Sequence, residues 1–317
     1  MESTQSTENY SPELPSDKFD PSSVKELQIP GKLVDRGYKP LEYDPGLPII
    51  NRSLVRVKPG IVMKFPFHAW WLLNLDEIES EWGKTEVTWA KKKFYREKVV
   101  FEERLQPHPR IVEFLGIVDL HHGILLKEVS NGDLQEYVKN HGDQVNMNLR
   151  LKWRSQAAEA IEYIHRNSVR HHDLRPHNFL LDAGPNNELD LILCDFGCAA
   201  LDDEEWPTCG PWTGYFYSHG SPTSEHQDLF GLGSVFYFIM TGNRPYEELV
   251  AFDPDGIDGE NMVMELIHPK NEWPSLDGIV CSSVMLHCWN RAYADAKSLI
   301  VDQDKCFEVF KAQAGGL

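Results

Sequence analysis

Three things are scarce in this chain of 317 residues: patterned cysteines, positive charge and long apolar runs. The six cysteines (Cys194, Cys198, Cys209, Cys281, Cys288 and Cys306) all fall in the C-terminal half, with no CxxC pair and no Cys/His zinc spacing. That pattern excludes a zinc module. With no secretory signal, the chain reads as reduced and intracellular, cytoplasmic or nuclear. Lys and Arg number 31 against 49 Asp and Glu, a net charge of −18. The clustered cations of a nucleic-acid or anionic-membrane binder are therefore not expected. The longest nearly apolar run, GLGSVFYFIMTG, is too short to cross a bilayer, so no membrane insertion is expected. The N-terminal MESTQSTENYSPELPSDKFDPSS has neither a basic n-region nor an apolar h-region. No internal repeat is visible. What remains is an ordinary globular composition, 41% hydrophobic, long enough to bury a core without disulfide or metal staples. The length suits two packing units, or one large domain with two lobes.

Residues 1–40 are rich in Ser, Thr, Pro, Glu and Asp without sustained periodicity, and read as a disordered tail. Its composition also suits phosphorylation, but a solvated tail is the simpler reading. From Pro48 the texture is strand-like: PIINR, SLVRV and IVMKF, with Lys58-Pro59-Gly60 as a turn between the last two. Two helical stretches follow, HAWWLLNLDEIESEW and KKKFYREKVVFEERL, and the prolines at 107 and 109 end the second. IVEFLGIVDL and GILLKEV read as a hairpin. In LRLKWRSQAAEAIEYIHR, the residues Trp153, Ala157, Ile161 and Ile164 form a buried stripe at helical spacing. NFLLDAG and LDLILCDFG read as a second hairpin, Leu229 to Thr241 as an apolar helix, and Ile279 to Lys311 as a last helical region. The fold class is α+β, a small antiparallel-strand part followed by a larger helical one.

The densest chemistry lies in HHDLRPHN (His171 to Asn178) and in the later Asp195-Phe196-Gly197. Each follows a buried element able to deliver side chains rigidly into a cleft. Two carboxylates and an amide oxygen suit Mg²⁺, a hard cation that bridges phosphates. An Asp free of metal can accept a proton from an attacking hydroxyl.

These stretches resemble the eukaryotic protein kinase family. HHDLRPHN is similar to the catalytic loop HRD-x-x-x-x-N, and CDFG is similar to its DFG partner. Ile61-Val62-Met63-Lys64 resembles the strand motif whose lysine holds the α/β-phosphates. KKKFYREKVVFEERL resembles the helix that supplies the lysine's glutamate partner. Glu97 is the choice there, with Glu102 and Glu103 as alternatives, because Val100, Phe101 and Leu105 would then line one inner face. KEVSNGDLQEYV resembles the hinge and the helix after it. CWNRAYADAK resembles the late CW segment, and the texture as a whole resembles fungal kinase-like proteins with a compact domain.

The resemblance implies a two-lobed domain over 41–317: a small lobe with an antiparallel sheet and one main helix over about 41–127, a hinge over about 128–132 and a mostly helical lobe over about 133–317. It implies ATP and Mg²⁺ as cofactors and transfer of the γ-phosphoryl to a hydroxyl of a protein substrate. Asp173 would orient or deprotonate that hydroxyl, Lys64 paired with Glu97 would hold phosphates, and Asn178 and Asp195 would bind Mg²⁺. Arg175 would offset charge on the transferring group, and Glu128 and Val129 would present backbone groups to adenine. Asp228 would cap its helix and brace the catalytic loop. The expected state is a monomer.

Plainer readings stand beside these. Lys64 could be an edge lysine, Glu97 a solvated helix glutamate, Asp228 a simple N-cap, and Trp70-Trp71 core packing or a partner site. The histidine pairs 121–122 and 171–172 have no third ligand nearby, and no metal is read into them. The chain also departs from the family pattern. No GxGxxG precedes Lys64, where only Asn51-Arg52-Ser53 stands between the first strands. The arginine before the catalytic aspartate is replaced by His172, and the loop that would carry an activating phosphate holds Asp202-Asp203-Glu204-Glu205. SHGSPTSEHQD lacks the Pro-Glu of APE, and the catalytic-loop lysine position is Arg175. A pseudokinase scaffold is the second reading, and a small-molecule phosphotransferase the third.

Overall fold

A computed structural model describes residues 54–58, 60–64, 81–118, 123–184, 188–202, 224–247, 263 and 270–314. The expected tail, Trp70-Trp71, His121-His122 and residues 203–205 lie outside them. Strands β1 (Leu54–Lys58) and β2 (Ile61–Lys64) pair antiparallel. Gly60 beside their turn has φ 85°, a left-handed value open to glycine. With β3 (Phe114–Val118) and β4 (Gly123–Lys127) they make a four-stranded antiparallel sheet in the order β1-β2-β4-β3. The register sets Lys64 opposite Ile124.

Helix α1 (Glu81–Val99) runs on into a π-helical turn, Val100–Arg104, closed by Leu105 N–H donating to Val100 C=O at 3.0 Å. The first expected helical stretch, residues 68–82, lies outside the described residues but for its last two, and from there α1 runs unbroken into the second. Nothing between them is proline, and Lys91 to Lys93 propagate a helix well. The wide turn keeps Val100, Phe101 and Leu105 all buried. The chain leaves the helix before Pro107 and Pro109, as the missing proline N–H groups demand.

The larger part begins with α2 (Leu134–His141), whose N-cap Asp133 accepts from Glu136 N–H at 3.0 Å. Helix α3 (Met147–Arg166) is capped likewise by Asn146, which accepts from Leu149 N–H at 2.9 Å. Trp153, Ala157, Ile161 and Ile164 are fully buried, and so are Arg154 and Ala158 on other faces. α3 is therefore a central helix, wrapped by the hairpin and by helices to either side. That hairpin joins β6 (Phe179–Ala183) to β7 (Leu189–Leu193), as the sequence predicts. A second ladder, β5 (Val169–Arg170) with β8 (Ala200–Leu201), is too short to leave an alternating pattern in the sequence.

Helix α4 (Glu225–Thr241) begins four residues before the expected Leu229, with Ser224 at its N-cap. Asp228 therefore lies inside the helix, and the expectation that it caps the helix is corrected. Helices α5 (Ser282–Trp289) and α6 (Ala296–Ala314) complete the chain. One apolar core runs from Phe94 and Ile124 through α3 and α4 to Leu299, so sheet and helices share a single interior. The layout is α+β, with the small antiparallel part first. One cysteine departs from expectation. Cys198 is disulfide-bonded, while Cys194, Cys281, Cys288 and Cys306 are free thiols. Spacing rules see only cysteines close in sequence, whereas a disulfide needs only closeness in space.

Helices α4 and α5 approach each other closely at Gly233 in α4, where an added Cβ would lie 2.6 Å from the Cys288 Cβ and 3.3 Å from the Met285 carbonyl. In an open helix, Gly→Ala gains about 1 kcal/mol of propensity. Here overpacking, typically about 1–3 kcal/mol, outweighs it. Gly233→Ala is expected to lose up to about 2 kcal/mol in urea denaturation; a higher midpoint would refute this packing argument.

Candidate active site

The site is built on a buried carboxylate. Asp228, with 0% exposure inside α4, accepts from His171 N–H at 2.7 Å and from His172 N–H at 2.8 Å. His165, in the last turn of α3, lies 2.9 Å from the same carboxylate through Nε2. Burial, the largest influence, would raise the Asp228 pKa; the His165 hydrogen bond and the electrostatic pull of His165, His171 and His172 together override it and hold the group below the usual carboxylate range. The ionised carboxylate thus fixes two successive backbone N–H groups and lets His172 sit at φ 60°.

Just beyond this brace, Asp173 is 5% exposed. Its Oδ2 accepts from Arg175 at 2.9 Å and from Asn178 Nδ2 at 3.1 Å, while Oδ1 is buried without a partner. Asn178 Nδ2 also donates to the Asp173 carbonyl at 2.7 Å. Both amide protons of Asn178 are therefore turned to Asp173, which leaves its Oδ1 as an acceptor. A consistent tautomer puts the His171 proton on Nε2, donating to the Cys194 carbonyl at 3.0 Å, with Nδ1 accepting from Asp173 N–H at 3.3 Å.

The second cluster joins the sheet, α1 and the segment after β7. Lys64 Nζ lies 2.6 Å from Glu97 Oε2 and 2.9 Å from Asp195 Oδ1. Glu97 is fully buried, whereas Glu102 and Glu103 are exposed. Burial would lower the lysine pKa, but Asp195 and Glu97 together raise it, so Lys64 stays charged. Burial opposes ionisation of Asp195 too, and the lysine overrides it, holding that carboxyl below the ordinary range. Glu97 is lifted by burial against the pull of Lys64. Asp195 has φ 62°, a left-handed turn that Asp tolerates. The turn sends Phe196 inward, where it meets Phe101 edge-on at 5.4 Å and His171 at 5.1 Å. Phe101 stacks flat on Phe114 at 5.2 Å. The backbone joins the two clusters as well, since Cys194 N–H donates to the Asn178 carbonyl at 2.9 Å.

Between sheet and helices, Glu128 is committed to the β1–β2 turn. Its N–H donates to the Gly60 carbonyl at 2.9 Å, and its carboxylate accepts from Gly60 N–H at 3.1 Å. The Glu128 N–H is thus not offered to a ligand. The backbone groups of Val129 make no hydrogen bond among the described residues. No group of three or more His, Cys, Asp or Glu among the described residues is arranged to hold a metal. The donors that fit Mg²⁺ are two oxygens, the Asn178 amide and the Asp195 carboxylate, an ordinary number for an ion that keeps waters and phosphate oxygens. Sequence reading missed His165, the aromatic column through Phe101, and an ion pair of Arg104 with Asp202. Spacing carries no signal for the last two; His165, in the final turn of α3 and eight residues before Asp173, offered a weak one.

A family model described as protein kinase domain matches residues 81–302, more than half of the chain. The chain belongs to the protein kinase family. The match begins after Lys64, so the contact of that lysine with Glu97 and Asp195 is an observation independent of it. Among curated relatives, the chain is 26% identical over 255 residues to a tyrosine-protein kinase of Girardia tigrina, covering 71% of this chain and 49% of the relative. It is 29% identical over 222 residues to a dual specificity protein kinase of Dictyostelium discoideum, covering 62% and 27%. It is 30% identical over 151 residues to a probable serine/threonine-protein kinase of the same organism, covering 45% and 13%. This kinase-family chain thus spans from about an eighth to about half the length of these relatives. No helix among the described residues is long and apolar enough to cross a membrane.

The pH response of the site follows from His172. Burial pushes its ring down to about 4, against the pull of Asp228, so the ring is neutral at pH 7. In the unfolded chain the ring titrates near 6.5. The folded value is the lower one, so the unfolded state takes up the proton first as pH falls. The stabilisation present above 6.5 is then lost progressively toward pH 4. For this buried ring the loss between pH 7 and pH 5 is about 2 kcal/mol. His172→Asn tolerates the left-handed turn and does not titrate. Denaturant titrations at both pH values should show the extra loss in wild type and not in the variant; equal losses would refute the assignment.

Proposed function

We propose that this chain is an ATP-dependent protein kinase, passing the γ-phosphoryl of ATP to a hydroxyl of a protein substrate. The observation that carries the reading is the Asp173 carboxylate. One oxygen is held by Arg175 and Asn178; the other is buried, unpartnered and ready to accept a hydroxyl proton. In this reading Lys64, kept charged and aimed by Glu97, holds the α/β-phosphates. Arg175, 2.9 Å from Asp173, offsets negative charge on the transferring group. Val129 offers its unengaged N–H and C=O to adenine, and the Glu128 carboxylate ties the hinge to the sheet rather than touching nucleotide. Asn178 and Asp195 would hold Mg²⁺, which would supply positive charge against the nucleotide phosphates. An intracellular setting, where ATP is supplied, goes with this reading, and four of the five described cysteines are free thiols.

The second reading is a pseudokinase that keeps the fold and binds without turnover. It is favoured by the absent glycine motif before Lys64, since backbone N–H groups of such a loop would close over the phosphates. Two measurements separate the readings. Wild-type protein should gain thermal stability with ATP·Mg²⁺, and Lys64→Met or Asp195→Ala should abolish the gain. A wild-type protein indifferent to millimolar nucleotide would reject the kinase reading and favour the scaffold form of the second. Asp173→Asn should keep folding and nucleotide binding while lowering phosphoryl transfer about 10²–10⁴-fold. Transfer at the wild-type rate in that variant would remove Asp173 as the base.

A further inference from the structure

His172 leaves the neighbourhood of the catalytic segment without a phosphate grip of its own. Its ring is 2% exposed and neither nitrogen has a hydrogen-bond partner. A neutral imidazole has neither the charge nor the fork geometry to hold a phosphate. Two arginines nearby are already committed, both to the same residue. Arg104, which closes the π-helical turn at the end of α1, pairs with the Asp202 carboxylate, and Arg170 of β5 donates to the Asp202 carbonyl. Asp202 N–H donates to the Ser168 carbonyl at 3.0 Å. The N–H, C=O and carboxylate of Asp202 are therefore all engaged. Its φ of 49° is a left-handed turn that Asp and Asn accept.

We propose that Asp202 is a fixed internal anion, clamping the chain after β8 to the end of helix α1 and so positioning Glu97 without any phosphorylation. Arg104 lies seven residues beyond Glu97, about two helical turns along the same rod. A tether there restricts the swing that would carry Glu97 away from Lys64. Asp202 is a positioning residue, since it touches neither the Asp173 nor the Lys64 cluster. The consequence for turnover rests on the kinase reading above; the clamp itself does not. The pair is partly exposed, with side chains 32% and 52% accessible, so its effect is modest, about three- to five-fold.

The test is amide hydrogen exchange over residues 97–105 of the full chain, beside steady-state turnover. Asp202→Asn keeps the side-chain shape and the left-handed turn. It should speed exchange there, and lower kcat/KM for ATP, by about three- to five-fold. Arg104→Gln should match it, the double variant should add nothing, and Arg104→Lys, which keeps the charge, should recover most of the loss. Phosphatase treatment of wild type should change neither quantity. Were Asp202→Asn to unfold, Arg104→Gln, which alters a partly exposed side chain, carries the same comparison. Unchanged exchange in the single variants, an additive double variant, or faster exchange after phosphatase would overturn the clamp. Exchange needs no nucleotide. Wild type that ignores ATP but shows this exchange pattern overturns the kinase reading and supports the clamp.

Discussion

A single carboxylate inside an apolar helix holds the candidate site together. Asp228 lies among Leu229, Phe230 and Leu232, all buried, where an unpaired charge would be strongly unfavourable. Three donors compensate it: two consecutive backbone N–H groups and the His165 imidazole. The dependence is mutual. Without the carboxylate, the N–H groups of His171 and His172 would be buried and unsatisfied, each costing about 1–3 kcal/mol. The left-handed turn at His172 would also lose the contact that offsets its strain. Asp173 follows immediately, so the direction of its side chain is set by a helix more than fifty residues further along the chain.

The second constraint passes from the sheet to the same loop through rings rather than charges. Phe114, Phe101, Phe196 and His171 make successive ring contacts, each between 5.1 and 5.4 Å. One member comes from β3, one from the π-helical turn after α1, one from the segment after Asp195 and one from the braced loop. Phe101 belongs to the π-helical turn, and its ring bridges Phe114 and Phe196. The column and the Lys64–Glu97–Asp195 contacts tie the same three elements together, one by packing and the other by charge. A shift of α1 would therefore break both at once.

How much of this the sequence discloses depends on the range of the interaction. Period and punctuation reveal the central stripe of Trp153, Ala157, Ile161 and Ile164, the β6–β7 hairpin and the stop before Pro107, because each is a local property of a few residues. The motif segments point to Asp173, Asn178, Asp195 and Lys64, and the geometry gathers these into two neighbouring clusters joined at Cys194 and Asn178. What spacing could not give are pairings between distant positions. The β5–β8 ladder is two residues long and joins strands some thirty positions apart, and Arg104 meets Asp202 across 98 positions. The helix start at Glu225 was missed for a different reason. The first turn of α4 holds Glu, His and Gln rather than apolar residues, so periodicity begins late, although Ser224 at the N-cap is a residue type common there.

The charge count of the site explains why a protein with a net charge of −18 remains suited to a polyanionic ligand, and what that ligand must bring. Lys64 sits between two carboxylates, so the trio carries one net negative charge, and the Asp173–Arg175 ion pair adds none. Bare nucleotide phosphates would meet a site of net negative charge. A divalent cation reverses that balance to a net positive site, and the oxygens of Asn178 and Asp195 are hard donors suited to receive it. For the function proposed here, metal dependence is therefore a property of the electrostatics as much as of the chemistry. The same arithmetic applies to the surface clamp. Arg104 and Arg170 around Asp202 sum to one positive charge, too little to favour a dianionic phosphate when the carboxylate already holds the guanidinium and costs no second protein to install.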